Sequence, residues 1–180
     1  MKRLFPAVGM LLAACVATLG FAARAQAASF TWSNDGDALS MDPYMINETF
    51  SLGMASNVYD TLVTRGKKLE ILPALATSWK RSDPNTWVFT LRKGVKFQGG
   101  ESFTSEDVVF SYHRVLSAGS DLKGNFGSGG AASIVSMDAK GPYTVIIKTK
   151  EPNPILLSYL TILDILSKSW CEKNNAVDVT

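Results

Sequence analysis

The sequence predicts an α/β fold in which short antiparallel strands pack with a few amphipathic helices. Apolar residues make up 46% of the 180 residues and charged residues 19%, a balance typical of a chain that buries a core. Apolar and polar residues alternate in several short runs bounded by turn residues, which is the pattern of strands in hairpins. A helix-capping motif precedes apolar residues at helical spacing near the middle of the chain.

Residues 1–27 have the pattern of an export signal. A short basic start, Lys2-Arg3, precedes an apolar run over residues 4–21, and Ala25-Gln26-Ala27 has the form of a cleavage site between small residues. A transmembrane anchor is the alternative, but Arg24 and the small residues around it argue against one. We therefore expect export, with cleavage after Ala27.

Cys15 offers an alternative for the same segment. Leu12-Ala13-Ala14-Cys15 has the form of a bacterial lipoprotein box, in which the cysteine becomes the lipidated first residue. The apolar run continues beyond Cys15, where such proteins usually carry a polar tether, so we favour cleavage after Ala27. Mass spectrometry of the mature N-terminus distinguishes the two.

The charge of the chain argues against a nucleic-acid partner. The formal charge is +2, but three of the 18 basic residues and none of the 16 acidic ones lie in the signal segment. The exported chain is therefore close to neutral and has no basic footprint. After cleavage Cys171 is the one remaining cysteine, and we expect it to be buried as a small apolar residue rather than reactive.

The first elements follow from turn and cap signals. Residues 29–34 alternate as a half-buried strand, the run 34–37 is a turn, and Asp42-Pro43 is a second turn. Asn47 or Thr49 then caps a predicted helix that runs to about Leu62. Its apolar stripe comprises Phe50, Met54 and Val58.

One hairpin and a capped helix form the centre of the prediction. Strands at 74–80 and 87–91 flank the turn 82–85, with Trp79 and Trp87 available for packing. Thr104 and Asp107 have the spacing of a capping box and start a helix. Its apolar stripe is predicted to be Val108, Tyr112 and either Val115 or Leu116.

The last part of the chain alternates loop, hairpin and helix. Residues 119–130 are rich in Gly and Ser and are predicted to form a loop. Residues 132–137 and 143–149 are predicted to pair as a hairpin, and the apolar run 155–166 as a buried helix. No closing helix or strand is predicted after residue 173.

The sequence carries no recognisable catalytic or metal-binding motif. His113 is the only histidine, and no partner for catalysis or metal binding stands at a suitable spacing. The Gly-rich run 124–130 lacks the lysine and hydroxyl ending of a phosphate loop. The sequence therefore predicts a binding module without a metal or cofactor, and not an enzyme.

Five blocks of residues, in order, resemble one protein family. They are 40–43 (SMDP), 59–63 (YDTLV), 73–79 (PALATSW), 87–97 (WVFTLRKGVKF) and 103–112 (FTSEDVVFSY). In this order they are similar to the extracytoplasmic solute-binding proteins of peptide/nickel ABC importers, family 5. The segment 151–156 is similar to the one that follows in this family, so the resemblance spans nearly all of 30–159.

The resemblance implies the N-terminal part of a two-lobed periplasmic-binding-protein (Venus-flytrap) fold with an extra small α+β domain. By analogy, residues 1–27 are the signal peptide and 28–58 start the first lobe. Residues 59–152 form the small α+β domain, and 153–180 return into the first lobe. Since family members are much longer, the chain looks like an N-terminal fragment.

The resemblance also implies function. A monomeric periplasmic protein would capture oligopeptides or related solutes and deliver them to an ABC permease in the inner membrane. The turn after the first strand lies near the cleft in this family, so the nominated ligand-binding residues are Asn34, Asp35, Gly36, Asp37 and Ala38. A strand-end loop offers backbone N–H and C=O groups to an extended peptide. The alternative is a secreted hydrolase whose catalytic residues lie outside this sequence.

Overall fold

The computed structural model describes residues 36–45, 47–117, 119–128 and 130–179, and the predicted strand at 29–34 lies outside them. In chain order the elements are α1 (Thr49–Ala55), β1 (Val63–Arg65), β2 (Ile71–Pro73), β3 (Ala76–Asp83), β4 (Thr86–Leu91), α2 (Ser105–Val115), α3 (Lys123–Ser128), a 3₁₀ turn (Gly130–Ser133), β5 (Ile134–Ala139), β6 (Thr144–Thr149), α4 (Leu156–Leu160) and α5 (Lys168–Lys173). Together they give the α/β composition that the sequence predicts.

The two predicted hairpins join into one antiparallel sheet with the order β3-β4-β6-β5. The β3 and β4 strands run further than predicted, so the connection narrows to Pro84-Asn85. Asp83 holds this turn, because its Oδ1 accepts a hydrogen bond from the Asn85 N–H at 2.9 Å. A separate two-stranded ribbon, β1-β2, precedes the sheet.

The core lies between one face of this sheet and helix α2. On β4 the buried residues are Trp87, Phe89 and Leu91, alternating with less buried neighbours as a half-buried strand requires. Helix α2 presents Val108, Tyr112 and Val115 to the core, whereas Leu116 is only half-buried. The apolar stripe predicted for this helix is therefore confirmed.

The capping box of α2 is confirmed and also contacts a distant segment. Asp107 Oδ2 accepts a hydrogen bond from the Thr104 N–H at 2.8 Å, which closes the box. Asp107 Oδ1 accepts from the Lys168 N–H at 2.9 Å. The same carboxylate therefore caps α2 and fixes the start of α5.

The prediction for the first helix is wrong in cap, length and face. Glu48 caps α1 by accepting hydrogen bonds from the N–H groups of Phe50 and Ser51. The helix ends at Ala55 because the side chains of Ser56 and Asn57 both donate to the carbonyl of Gly53, at 2.7 and 2.8 Å. Its buried residues are Ser51 and Ala55, and Val58 is 43% exposed.

The loop predicted at 119–130 contains helix α3 and is partly buried. Leu122 and Phe126 enter the core with 2% and 0% of their surface exposed. The Asp121 N–H donates to the Tyr44 carbonyl at 3.0 Å. Two apolar anchors therefore override the low helix propensity of the surrounding glycines.

The single helix predicted at 155–166 is also wrong, because α4 ends at Leu160. Beyond it the backbone becomes extended and pairs elsewhere: Thr61 and Asp164 form an isolated antiparallel bridge, and the Ile165 N–H donates to the Asp60 carbonyl at 2.9 Å. The apolar residues of the run still contribute to the core, where Leu163 and Ile165 are buried. Helix α5 then follows where no element was predicted.

Arg114 joins three segments that are distant in sequence. Its guanidinium forms a two-pronged ion pair with Asp42, with N–O distances of 2.9 and 2.5 Å. It also donates to the carbonyls of Ala176 and Asp178, at 3.1 and 3.2 Å. Only 3% of the Arg114 side chain is exposed, so this cluster is part of the interior.

Candidate functional site

The structure describes three of the five nominated ligand-binding residues. Asn34 and Asp35 lie outside the described residues. Gly36 and Asp37 are exposed and Ala38 is half-buried, and Asp37 Oδ1 accepts a hydrogen bond from the Ala38 N–H at 2.8 Å. Nothing in these contacts tests the nomination, and the role of the segment in ligand binding stays a prediction.

A cavity of about 440 Å³ lies elsewhere in the described part of the chain. Its walls come from residues 58–60, from the loop 95–103 with Leu75, from 165–167, and from Trp170 and Cys171. We call it the Trp170 cavity, because the Trp170 ring lies at its wall with 48% of the residue exposed. The three nominated residues that the structure describes, Gly36, Asp37 and Ala38, do not line it.

The loop 95–103 forms one wall and is closed by backbone hydrogen bonds. The Phe97 N–H donates to the Glu101 carbonyl at 2.9 Å, and the Phe103 N–H donates to the Val95 carbonyl at 3.1 Å. Gly100 turns the chain with φ +96°, a conformation that residues with side chains rarely adopt. The rings of Phe97 and Phe103 meet edge to face, with centroids 6.2 Å apart.

Helix α2 positions the opposite wall. The Leu166 N–H donates to Ser111 Oγ at 2.9 Å, and the Lys168 N–H is held by Asp107. Ser167 then caps α5, since its Oγ accepts from the Trp170 N–H at 3.2 Å. Both anchors are buried, so the wall that carries Trp170 is fixed to the core.

Two of the three charged residues that line the Trp170 cavity are acidic. Asp60 and Glu101 line it, against a single basic residue, Lys96. Glu101 Oε2 is buried and has no hydrogen-bond partner among the described residues. A buried acceptor without a donor is unfavourable, and this oxygen has almost no surface that a group in the cavity could reach.

Cys171 is buried in the wall of the cavity, as the sequence predicts, with 1% of its surface exposed. Burial raises the pKa of its thiol above the ordinary value. The protonated thiol is a weak nucleophile, which argues for a packing role. His113 lies on the exposed face of α2, with its ring centroid 5.3 Å from that of Tyr112.

Asp164 lies behind the cavity and makes the stability of the protein depend on pH. Burial, with a smaller contribution from the negative charge of Asp60, raises its pKa from 3.8 to about 7. The folded state therefore holds this proton more tightly than the unfolded state. Its stabilising effect is complete below about pH 4 and is lost as the pH rises through about 7.

We expect Asp164→Asn to be more stable than the wild type at about pH 8 and to lose most of this advantage at about pH 5, because asparagine cannot ionise. Urea denaturation of both proteins at the two pH values measures this difference. Asp121→Asn, at an exposed carboxylate, is the matched control and should follow the wild type. Parallel behaviour of wild type and Asp164→Asn would contradict the assignment.

Within the described residues no group of three or more His, Cys, Asp or Glu side chains is arranged to hold a metal ion. In the same part of the chain, no helix is both long and apolar enough to cross a bilayer. The geometry that remains is a cavity with apolar walls and acidic groups, which suits binding.

The comparison with known proteins identifies the family. The profile of the bacterial extracellular solute-binding proteins, family 5 (middle), matches residues 70–177, which is more than half of the chain. The chain belongs to this family. The family resemblance inferred from the five sequence blocks is therefore confirmed.

Two relatives show how much of the family this chain covers. The periplasmic murein peptide-binding protein MppA of Escherichia coli is 34% identical over 77 residues, which are 43% of this chain and 14% of MppA. The nickel-binding periplasmic protein of Escherichia coli is 35% identical over 106 residues, 58% of this chain and 20% of that protein. The chain therefore spans a fifth or less of the length of these relatives.

A solved structure supports the fold. The periplasmic binding protein DppA of Helicobacter pylori, in complex with the peptide STSA, is 34% identical with a TM-score of 0.67. The match covers 79% of this chain and 32% of that one. The described α/β unit is thus part of a two-lobed periplasmic-binding-protein fold, as predicted.

Proposed function

We propose that the chain belongs to the substrate-binding component of an ABC importer, which captures oligopeptides or related solutes and delivers them to a membrane permease. The observation that carries the proposal is the family match over residues 70–177. The relatives support the solute class: one is named for binding murein peptides, and the DppA structure holds a tetrapeptide, STSA. A cavity with apolar and charged walls is in keeping with such a role.

The proposal includes the cellular context. The export signal at 1–27 would deliver a monomeric protein to the periplasm, with cleavage after Ala27 and lipidation of Cys15 as the alternative. The nominated segment 34–38 would contact the backbone of the bound solute. The division into the first lobe (28–58 and 153–180) and a small α+β domain (59–152) is part of the same proposal.

We also propose that the protein binds its solute without altering it. The thiol of Cys171 is buried and His113 is exposed on α2, so the described residues do not bring this thiol and imidazole together for catalysis. The alternative, a secreted hydrolase, predicts a different fate for a bound peptide. The binding protein and the hydrolase differ in whether the peptide recovered after binding is intact or cleaved.

A retention experiment tests the proposed function. The purified protein is incubated with a defined pool of tri- to pentapeptides, separated by gel filtration, and the retained peptides are identified by mass spectrometry. We expect a subset of intact peptides in the protein fraction and none with heat-denatured protein. Cleaved peptides would favour the hydrolase, and a pool that passes through unretained would overturn the proposal.

A further inference from the structure

The two-stranded ribbon β1-β2 is fixed at its base and exposed at its tip. At the base, Leu62 is fully buried, and its carbonyl accepts hydrogen bonds from the N–H groups of Ala74 and Ala76 at 3.3 and 2.8 Å. At the other end, every residue of 65–70 except Gly66 is exposed. We call residues 65–70 the ribbon tip. None of them lines the Trp170 cavity.

Leu69 stands at a turn position that favours glycine. The Gly66 N–H donates to the Glu70 carbonyl, and the Leu69 N–H donates to the Gly66 carbonyl, both at 2.9 Å. These bonds enclose the loop 67–69, and in hairpins with loops of this length the last loop residue takes the left-handed conformation. Leu69 has φ +64°, which is unfavourable for a residue with a bulky side chain.

Packing does not explain the leucine either. Leu69 is 72% exposed, so burial within the described part of the chain offsets little of the backbone strain. Strained residues that the surrounding fold does not need are found most often where a protein binds something. The leucine therefore points to a contact outside this chain, in which its side chain becomes buried.

Basic side chains surround this leucine. Arg65, Lys67 and Lys68 are exposed, and none of the three forms an ion pair within the described residues. Glu70 is the one acid of the tip, and its Oε2 accepts a hydrogen bond from the Lys68 N–H at 2.8 Å. The tip thus carries three positive charges against one negative charge, which is held against the loop backbone. A partner for this tip has to combine an apolar layer with negative charge.

The surface of an anionic membrane has this combination. A leucine side chain can enter the boundary between headgroups and acyl chains, while lysine stems lie along it and keep their ammonium groups among the phosphates. A lipid surface also needs no pocket shaped to the tip, as a protein partner would. We propose that the ribbon tip docks on a membrane surface that contains anionic lipids, with Leu69 inserted and Lys67 and Lys68 at the phosphates. The proposal relies on the predicted export and not on peptide binding.

Vesicle flotation tests the docking. The purified protein is mixed with vesicles of phosphatidylcholine alone, or of phosphatidylcholine and phosphatidylglycerol in equal parts, and the bound fraction gives a partition coefficient. We expect at least about fivefold stronger partitioning into the anionic vesicles, the effect of one basic residue near such a surface. Added salt should reduce the difference. All proteins compared share residues 1–27, so any contribution of that segment cancels between variants.

A pair of double variants tests the charges. Lys67→Gln/Lys68→Gln should lower partitioning into the anionic vesicles by at least about tenfold, since two basic residues leave the surface. Lys140→Gln/Lys150→Gln is the matched control, because it removes the same charge at exposed positions outside the tip. It should change partitioning by less than about twofold, because charges away from the contact are screened.

Leu69→Asn tests the inserted side chain. Asparagine tolerates the left-handed conformation, so this variant should be at least as stable as the wild type in urea denaturation. Its partitioning into anionic vesicles should nevertheless fall by about fivefold, because the apolar side chain is lost. Val135→Thr is the control at an apolar residue of β5 that is 67% exposed, and it should bind like the wild type.

The outcomes separate this inference from its alternatives. Unchanged partitioning of Leu69→Asn, or equal losses for the two double lysine variants, would mean diffuse charge attraction and would overturn docking by the tip. Failure of the wild type to bind either kind of vesicle would overturn membrane docking and favour an acidic protein surface as the partner of the tip. None of these results alters the retention of peptides, which tests the proposed function separately.

Discussion

Replacing Arg114 with methionine should destabilise the fold by about 3–5 kcal/mol, the range for breaking a buried ion pair from one side. The guanidinium satisfies Asp42 and the carbonyls of Ala176 and Asp178, and 3% of its side chain is exposed. The variant leaves the Asp42 carboxylate without its partner. That carboxylate is 24% exposed and regains some hydration, so we expect the lower half of the range. Urea denaturation measures the change.

The destabilisation by Arg114→Met should be specific to this position, and a second substitution at Asp42 should partly rescue it. Arg92→Met is the matched control: Arg92 is exposed, and its guanidinium donates to the Ala74 carbonyl at 3.1 and 3.2 Å. We expect the control to lose less than about 1 kcal/mol. The double variant Asp42→Asn/Arg114→Met should be more stable than Arg114→Met alone, because it removes the unpaired charge. Equal losses for Arg92→Met and Arg114→Met would contradict this account.

The parts of the fold that the sequence predicts are set by contacts between residues that are close in the chain. The β3–β4 hairpin and the α2 cap are specified within a few residues, by Pro84-Asn85 and by Thr104 with Asp107, and both are confirmed. Helix α1 ends where Ser56 and Asn57 bond to Gly53, a competition that the apolar spacing does not show. Local signals were therefore reliable for the β3–β4 hairpin and the α2 cap, whereas the end of α1 was missed although its deciding contacts are also local.

The other two errors have a non-local cause. Helix α3 depends on the insertion of Phe126 into the core, and α4 is short because Asp164 bridges to Thr61. Both contacts join residues far apart in sequence, and neither changes the hydrophobic pattern of its own segment. Tertiary packing overrides propensity in such segments.

The candidate site was only partly accessible to sequence reasoning. The resemblance nominated a strand-end loop, whereas the Trp170 cavity is assembled from segments around residues 59, 97, 166 and 170. No spacing or motif connects these segments. The residue types give no signal either, since tryptophan is highly buried on average and exposed acids are common in proteins. Their convergence follows only from the packing of the 165–171 segment on α2.

The second large effect is expected at Phe89, in the centre of the main sheet. Its ring is fully buried and stacks between Trp79 and Trp87, each with its ring centroid 6.4 Å away. Phe89 also pairs with Val145 on the neighbouring strand. Phe89→Ala removes both stacked contacts and leaves a cavity, so we expect a loss of about 3–5 kcal/mol in urea denaturation.

Two further variants separate packing from strand propensity at this position. Phe89→Leu keeps most of the apolar volume and should lose much less than Phe89→Ala. Thr90→Ala changes the next residue on the same strand, which is exposed on the other face, and should cost less than about 1 kcal/mol. The near-ultraviolet circular dichroism of the tryptophans should weaken in Phe89→Ala and not in Thr90→Ala, because only the former releases the Trp79 and Trp87 rings. Similar losses for Phe89→Ala and Thr90→Ala would mean that the β4 backbone, and not the aromatic stack, stabilises the sheet.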